Sequence, residues 1–194
     1  MTEAHFLSRV FPTPSFSAAE QAEIITAFRQ VRFAKGDHLQ EEGKTARYYH
    51  FMESGLARSY ATDTEGRDIS TGFYTSGDIV IDWTSFFLRS PAREHIQALS
   101  TCTCWQLDFE TFQRLFHTIE AFREAGRTRL VQSYVELKNQ SISMITDPAR
   151  ERYKRLLREK PEICRNVSLK QIASYLGITD TSLSRIRREI ARGS

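Results

Sequence analysis

Hydrophobic residues recur at two different intervals along the chain, and the change of interval divides the sequence into regions. After the capping box Ser17-Ala18-Ala19-Glu20, apolar residues at helical spacing predict a helix over about 18–29. From Val31 to Asp108, short β-rich runs alternate with glycine-containing turns about every ten residues. This spacing is typical of an antiparallel sandwich or barrel and argues against βαβ units.

The β-rich region also predicts which side chains share a face. Because successive strand residues point to opposite sides, Tyr48, His50 and Met52 should lie on one face, and Tyr49 and Phe51 on the other. By the same rule, both thiols of Cys102-Thr103-Cys104 should share a face. With Cys164 the chain has three cysteines, which predicts neither a disulfide framework nor a four-ligand metal site. We interpret these cysteines as small, buried or half-buried side chains.

The pattern becomes helical again from Glu110. A short helix is predicted at about 109–117 and a long one at about 119–145. Steps of three or four residues along the long helix give a seam of coiled-coil type. The seam residues are Ile119, Phe122, Gly126, Leu130, Tyr134, Leu137, Ser141 and Ile145. The helix is a candidate for dimerisation, and packing of its first half on its own β-domain is the alternative.

Asp147-Pro148 breaks the long helix and marks a domain boundary. Three further helices are predicted at about 148–159, 168–175 and 180–191. The last two have the features of a helix-turn-helix. Ala173 is the small residue needed where the helices cross, and Gly177 suits a left-handed turn.

The predicted helix-turn-helix has an apolar interior and a polar exterior. The inward-facing positions are Ile172, Leu176, Ile178, Leu183, Ile186 and Ile190. Ser168 is expected to cap the first helix, and Thr179 or Asp180 the second. The outward-facing candidates for DNA contact are Lys170, Thr179, Asp180, Thr181, Ser182, Ser184, Arg185 and Arg188, with Arg192 beyond them.

Three of these residues form one stripe. Thr181, Arg185 and Arg188 lie at positions i, i+4 and i+7, so they can enter a major groove together. Arg185 can contact guanine O6 and N7 with two hydrogen bonds. Ser182 and Lys170 are better placed for phosphates, which fix register without reading sequence. A structural helix pair with a solvated basic face is the alternative.

The charge distribution supports a polyanionic partner. The chain carries a net charge of +3, but residues 146–194 hold twelve basic and six acidic residues and are +6, whereas the other 145 residues are −3. A basic C-terminal segment after an acidic body is typical of nucleic-acid binding. No apolar run is long enough to cross a bilayer, and the first residues do not resemble a signal peptide, so we expect a cytoplasmic protein without membrane contact.

Taken together, these motifs resemble the cyclic-AMP receptor protein / fumarate-nitrate regulator (Crp/Fnr) superfamily from about Val31 to Ile190. The segment from Tyr48 to Gly55 resembles that family's "Y-x-I-x-x-G" strand and turn, and Gly77-Asp78-Ile79-Val80 resembles the "G-D-x-x-G-E" opening of its phosphate-binding cassette. The resemblance implies a homodimeric transcription regulator, with double-stranded DNA and RNA polymerase as partners. The wing hairpin that usually follows the recognition helix is not expected before Ser194.

The cassette departs from the family pattern. Asp82 stands where the ribose-binding Glu is expected, Ile81 replaces a glycine, and Arg93 matches the phosphate-binding arginine. Glu94 replaces the following Ser or Thr, and its carboxylate would repel a cyclic phosphate. We therefore expect that Asp82, Arg93 and Glu94 line an effector pocket that does not take cyclic AMP.

No cofactor or metal is expected. No cysteine precedes Cys102, which argues against the iron–sulfur branch of the family, and His50, His95 and His117 are isolated, which argues against the haem-binding branch. We predict an α+β fold and a protein that is not an enzyme. Its three parts are a sensor domain (1–117) formed by an N-terminal antiparallel β-roll with flanking helices, a dimerisation helix (118–146), and a helix-turn-helix domain (147–194).

Two other functions stay open. The β-region could be the jelly roll of a cupin-like metalloenzyme, although His38, His50 and His95 are scattered and no H-x-H motif is present. Alternatively, the protein could be a ligand-sensing module that acts through protein contacts. The Arg185/Arg187/Arg188 cluster argues against this second alternative.

Overall fold

The computed structural model describes residues 4–11 and 15–192. Two helices come first, α1 (Ala4–Val10) and α2 (Ala18–Ala27). Eight strands follow: β1 (Arg29–Phe33), β2 (His38–Gln40), β3 (Tyr48–Ser54), β4 (Ala57–Thr62), β5 (Asp68–Tyr74), β6 (Ile79–Val80), β7 (His95–Ala98) and β8 (Cys102–Asp108), with helix α3 (Trp83–Leu88) between β6 and β7. The rest is helical: α4 (Phe109–Thr118), α5 (Glu120–Thr146), α6 (Ala149–Glu159), α7 (Pro161–Asn166), α8 (Leu169–Tyr175) and α9 (Asp180–Arg192).

The predicted capping box is present, but the helix it starts is shorter than expected. Ser17 Oγ accepts the Glu20 N–H, and the Glu20 carboxylate accepts the Ser17 N–H. Helix α2 ends at Ala27, so the prediction of a helix to residue 29 is wrong at its C-terminus. Arg29 instead begins β1, where it pairs with Gln106. A strand partner distant in sequence overrides the local helical pattern here.

The chain divides into two compact units. The first comprises residues 1–57 and 74–134, and the second comprises residues 58–73 and 135–194. The first unit contains an antiparallel sheet in the order β1-β8-β3-β6, and β2 pairs with β7. These units differ from the domains predicted from the sequence, whose boundaries stay predictions.

The central sheet of the first unit separates two apolar clusters. On one face, Tyr49, Phe51 and Leu107 pack in an aromatic core with α2, α4 and the start of α5. On the other face, Met52, Cys102 and Cys104 lie in a second cluster with apolar residues of β7. The alternation predicted for 48–52 and for Cys102-Thr103-Cys104 is therefore confirmed.

The second unit contains the neighbouring strands β4 and β5 and the C-terminal helices. A turn closed by Asp63 and Arg67 joins the two strands, because the Asp63 N–H donates to the Arg67 carbonyl. We call residues 58–73 the β4–β5 hairpin. The α+β fold with an antiparallel β-roll, flanking helices and C-terminal helices agrees with the prediction. Helices α1, α3 and α7 were not predicted.

Candidate nucleic-acid interface

Helices α8 and α9 meet at the turn that the sequence predicted. Ser168 caps α8, with its hydroxyl accepting the Gln171 N–H. Gly177 has a φ of +65°, and a Cβ added there would lie 2.8 Å from the terminal methyl of Met144. Glycine is therefore needed at this position for its backbone conformation, whereas the exposed Met144 side chain is flexible enough to move.

The interior of this helix pair is apolar. The fully buried residues are Ile172, Ala173, Leu176, Leu183 and Ile186. Ile178 and Ile190, which were also expected to face inward, are half-buried. Ala173 is 2% exposed, as expected of the small residue at the helix crossing.

The N-terminus of α9 is held by Thr179. Its hydroxyl oxygen accepts the Ser182 N–H at 3.2 Å and lies 3.0 Å from Ser182 Oγ. Asp180 instead accepts the N–H of Thr181, the next residue. The structure thus selects Thr179 from the two predicted caps. Thr179 and Asp180 are both exposed, and Ser182 is half-buried.

The predicted reading stripe lies on the exposed face of α9. Thr181, Arg185 and Arg188 are all exposed. Arg185 makes only a long ion pair with Glu189, at 3.9 Å, and its side chain is 71% exposed. The Arg188 guanidinium donates to the Ser184 carbonyl at 3.4 Å, which places Ser184 beside the stripe. Arg185 and Arg188 are therefore held only by these long contacts.

Two arginines hold the break between α5 and α6. Arg152 donates to the Asp147 carbonyl and to the Leu176 carbonyl, at 2.6 and 2.7 Å. Arg155 donates to the Asp147 carboxylate. Hydrogen bonds from Ser143 and Arg155 lower the pKa of Asp147. The predicted helix break at 147–148 is confirmed.

Exposed apolar side chains occur along α5. Leu130, Tyr134 and Leu137 of the predicted seam are 51%, 64% and 65% exposed, and Ile145 is 83% exposed. By contrast Ile119, just before the helix, and Phe122, near its start, are buried in the aromatic core. The first part of the seam thus packs on the chain's own β-domain, and the later part faces solvent.

The three residues assigned to an effector pocket have different environments. Asp82 is 8% exposed and caps α3, because its carboxylate accepts the Ser85 N–H at 2.8 Å. Arg93 is exposed, and Glu94 is half-buried. Ile81, at the position of the family's glycine, is buried in the aromatic core. The carboxylate expected to bind ribose thus already accepts a backbone hydrogen bond, and a buried isoleucine stands where the family pattern has glycine.

Burial inside the β-roll favours the neutral forms of Cys104 and His50. Met52 and Cys104 are fully buried, with their sulfur atoms 3.8 Å apart, and burial raises the pKa of Cys104 to about 12. His50 is 4% exposed, its Nε2 atom has no hydrogen-bond partner, and burial lowers its pKa to about 4. A neutral imidazole is the form that this environment tolerates.

Two histidines described above as scattered are neighbours. The rings of His38 and His95 lie 5.2 Å apart, because β2 pairs with β7. Glu42 is close to both nitrogens of His95, since its N–H donates to Nδ1 and its carboxylate lies 3.6 Å from Nε2. Even so, no three His, Cys, Asp or Glu side chains within 4–11 and 15–192 form a group able to hold a metal ion. Nor does any helix in these ranges have the length and apolar character to cross a membrane.

Comparison with known proteins agrees with this architecture. Residues 30–118 match the family model of the cyclic nucleotide-binding domain. A search of curated proteins found no match.

Solved structures share the fold over most of the chain. CLP of Xanthomonas campestris, described as a c-di-GMP-responsive global regulator, superposes with a TM-score of 0.71 at 16% identity, over 91% of this chain and 93% of CLP. FixK2 of Bradyrhizobium japonicum gives 0.72 at 17% identity, over 86% and 85% of the two chains. A protein from Eubacterium rectale, described as a transcriptional regulator of the Crp/Fnr family, gives 0.72 at 15% identity, over 95% and 88%. The family model and these structures confirm the fold that the resemblance implied.

Proposed function

We propose that this protein is a sequence-specific DNA-binding transcription regulator that acts as a homodimer. The single observation that carries the proposal is the helix-turn-helix of α8 and α9. It combines a buried apolar interior with the exposed stripe Thr181, Arg185 and Arg188. The similar folds of CLP and of the Eubacterium rectale protein, both described as regulators, support the same class of function.

In this proposal α9 enters the major groove. Arg185 reads guanine through O6 and N7, with Thr181 and Arg188 one turn away on either side. Lys170, Thr179, Ser182 and Ser184 contact phosphates and fix the register of the helix on the duplex, and Asp180 lies at the mouth of the groove. A buried helix pair needs no such exposed cluster of arginines, which is why we favour DNA binding over a purely structural role.

The exposed half of α5 supplies the dimer contact. Large apolar side chains facing water carry a free-energy cost that a second copy of the same helix would remove. Leu130, Tyr134 and Leu137 follow one another at steps of four and three residues, the spacing of a two-stranded coiled coil. Two-fold symmetry then predicts a near-palindromic operator with half-sites about 34 Å apart.

We infer that cyclic AMP is not the effector. Asp82 is engaged as the cap of α3, and Ile81 has a buried side chain where close approach of a phosphate would need glycine. A different ligand near Arg93 and Glu94, or none, is consistent with these contacts. The cupin-like metalloenzyme is not favoured, because no three His, Cys, Asp or Glu side chains of the described residues form a group able to hold a metal ion.

Selection from random duplex DNA tests the proposal. Purified protein without added ligand is incubated with the library at near-physiological salt, and its mass is measured by light scattering. Enrichment of a two-fold symmetric site by a dimer supports the proposal. A monomer that enriches no sequence, with or without cyclic nucleotides, contradicts it.

A further inference from the structure

The β4–β5 hairpin packs against the helix-turn-helix, although it lies within the residues that match the cyclic nucleotide-binding domain. The ring of Phe73 meets the ring of Tyr175 edge to face, with centroids 5.1 Å apart. Next to this pair, the Lys160 ammonium donates to the Phe73 carbonyl at 3.1 Å. The end of the hairpin is thus held both by α8 and by the loop between α6 and α7.

A chain of polar side chains continues this contact. The Ser70 N–H donates to Ser174 Oγ at 3.1 Å, and the two hydroxyl oxygens are also 3.1 Å apart. Arg58 donates to Ser70 Oγ and to the Asp68 carboxylate, and its guanidinium lies 4.2 Å from the centre of the Tyr60 ring.

The Arg58 side chain is only 6% exposed. Its Nε atom has no hydrogen-bond partner. Breaking one link of a buried polar chain leaves other groups unsatisfied, so such chains favour one docking geometry.

The contact lies on the outer face of α8. Ile172 and Ala173 point into the helix pair, and Ser174 points away from it with Lys170, four residues earlier on the same face. Lys170 is the residue that we assign to a DNA phosphate. The hairpin therefore contacts α8 through Ser174, on the face that carries Lys170, and Asp68, two residues before Ser70 and half-exposed, lies on the same side of β5.

We propose that the β4–β5 hairpin is an autoinhibitory latch: docked through Ser70 on Ser174, it opposes DNA binding by α8 and α9, and its release raises affinity. The inference rests on the proposed function, since it names how the same site is regulated. Two physical effects oppose DNA binding in the docked state. The negative charge of Asp68 repels the DNA phosphates, and the hairpin occupies space beside α8. The latch lies in the part of the sequence that matches a ligand-binding domain, where a bound effector could shift it.

A reversible disulfide tests the docked state. In a Cys164→Ser background, Ser70→Cys and Ser174→Cys place two thiols where hydroxyls 3.1 Å apart stand now, within reach of a bond of about 2.05 Å. Oxidised glutathione closes the bond, and dithiothreitol opens it. We expect the oxidised protein to bind the selected operator about tenfold more weakly than the same protein reduced, a typical allosteric coupling. Each single-cysteine variant, treated in the same way, serves as the control.

A substitution that releases the latch should have the opposite effect and raise the affinity for DNA. Ser70→Gln places a longer side chain at the contact without changing any residue of the helix-turn-helix, and we expect severalfold tighter binding. Thr62→Gln, exposed on β4, is the matched control and should leave the affinity unchanged. Exchange of the Ser70 amide should accelerate when operator is added, because its acceptor is released.

The outcomes separate the two claims. Operator binding by the parent protein with equal affinities for the oxidised and reduced forms overturns the latch and leaves the proposed function standing. Tighter binding by the oxidised form also overturns it. If no form of the protein, including Ser70→Gln, binds any duplex, the proposed function fails and the latch fails with it.

Discussion

The segment that resembles a phosphate-binding cassette and the helix-turn-helix each contain a helix capped by a side-chain oxygen, but their polar residues have opposite environments. In the cassette, Asp82 is 8% exposed and its carboxylate binds the first turn of α3. In the helix-turn-helix, Thr179 caps α9 from an exposed position, and Arg185 remains exposed beyond it. The fold thus buries and engages the acidic residue of the first motif and leaves the arginine of the second exposed.

The largest effect is expected from the titration of His50, which tests whether its side chain is buried in the β-roll. The pKa of His50 in the folded protein is about 4, below the usual value near 6.5. Between these two pH values the unfolded chain binds a proton at His50 and the folded protein does not, so acidification favours unfolding. Above pH 6.5 the group contributes nothing, and between pH 6.5 and 4 it removes up to about 3 kcal/mol of stability. Urea unfolding at pH 7, 5.5 and 4.5 measures this loss.

His50→Gln is the control, because glutamine does not titrate in this range. We expect the variant to lose less stability than the wild type on acidification. Parallel pH profiles for the two proteins would show that His50 is accessible to protons in the folded state and is not buried in the β-roll as described.

Arg185→Ala tests the role of the exposed arginine in the helix-turn-helix. We expect a loss of about 1–3 kcal/mol of binding free energy to the selected operator and relaxed selectivity at one base pair per half-site. Repeating the selection with the variant measures both. Arg114→Ala, on α4 and 51% exposed, removes the same charge elsewhere and should leave the preferred sequence unchanged. If Arg185→Ala also preserves that sequence, a different face of α9 reads the DNA.

The sequence predicted much of this architecture because local signals agree with the final packing. The capping box at Ser17 and the turn at Gly177 are each determined by residues within a few positions. Helix α5 was predicted within one residue at each end, as 119–145 against Glu120–Thr146. Where one segment contains its own cap and periodicity, its structure can be derived from the sequence alone.

The remaining features depend on contacts between distant segments. The sequence left open whether the first half of the α5 seam packs on the β-domain or contributes to a dimer, because burial depends on whether α2 and α4 cover it. The proximity of His38 and His95 follows from strand pairing across 57 positions. The hairpin contact between Ser70 and Ser174 joins two serines 104 positions apart, and no motif assigns a role to either side chain. No local pattern encodes such pairs.

On the cassette side, Asp82→Ala should lower stability and leave DNA binding alone. Loss of an N-cap costs about 0.5–2 kcal/mol of the free energy of unfolding, typically about 1 kcal/mol. Thermal unfolding with and without cyclic AMP measures both the cap and the proposed absence of ligand binding. We expect no stabilisation of the wild type by the nucleotide. A midpoint that rises with cyclic AMP in the wild type, but not in Asp82→Ala, would return Asp82 to a ligand-binding role.

The smallest effect is expected for Lys170→Ala, because Lys170 is assigned to a DNA phosphate and not to a base. Removing one phosphate contact should reduce the slope of log affinity against log salt by about one per subunit and weaken all sequences evenly. Lys154→Ala is the matched control, because this exposed lysine on α6 pairs with Glu151 at 2.9 Å. An altered sequence preference in Lys170→Ala would show that α8 reads bases as well as phosphates. An unchanged slope would place the phosphate path away from the face that Lys170 shares with Ser174, and the steric argument for the latch would then lose its support.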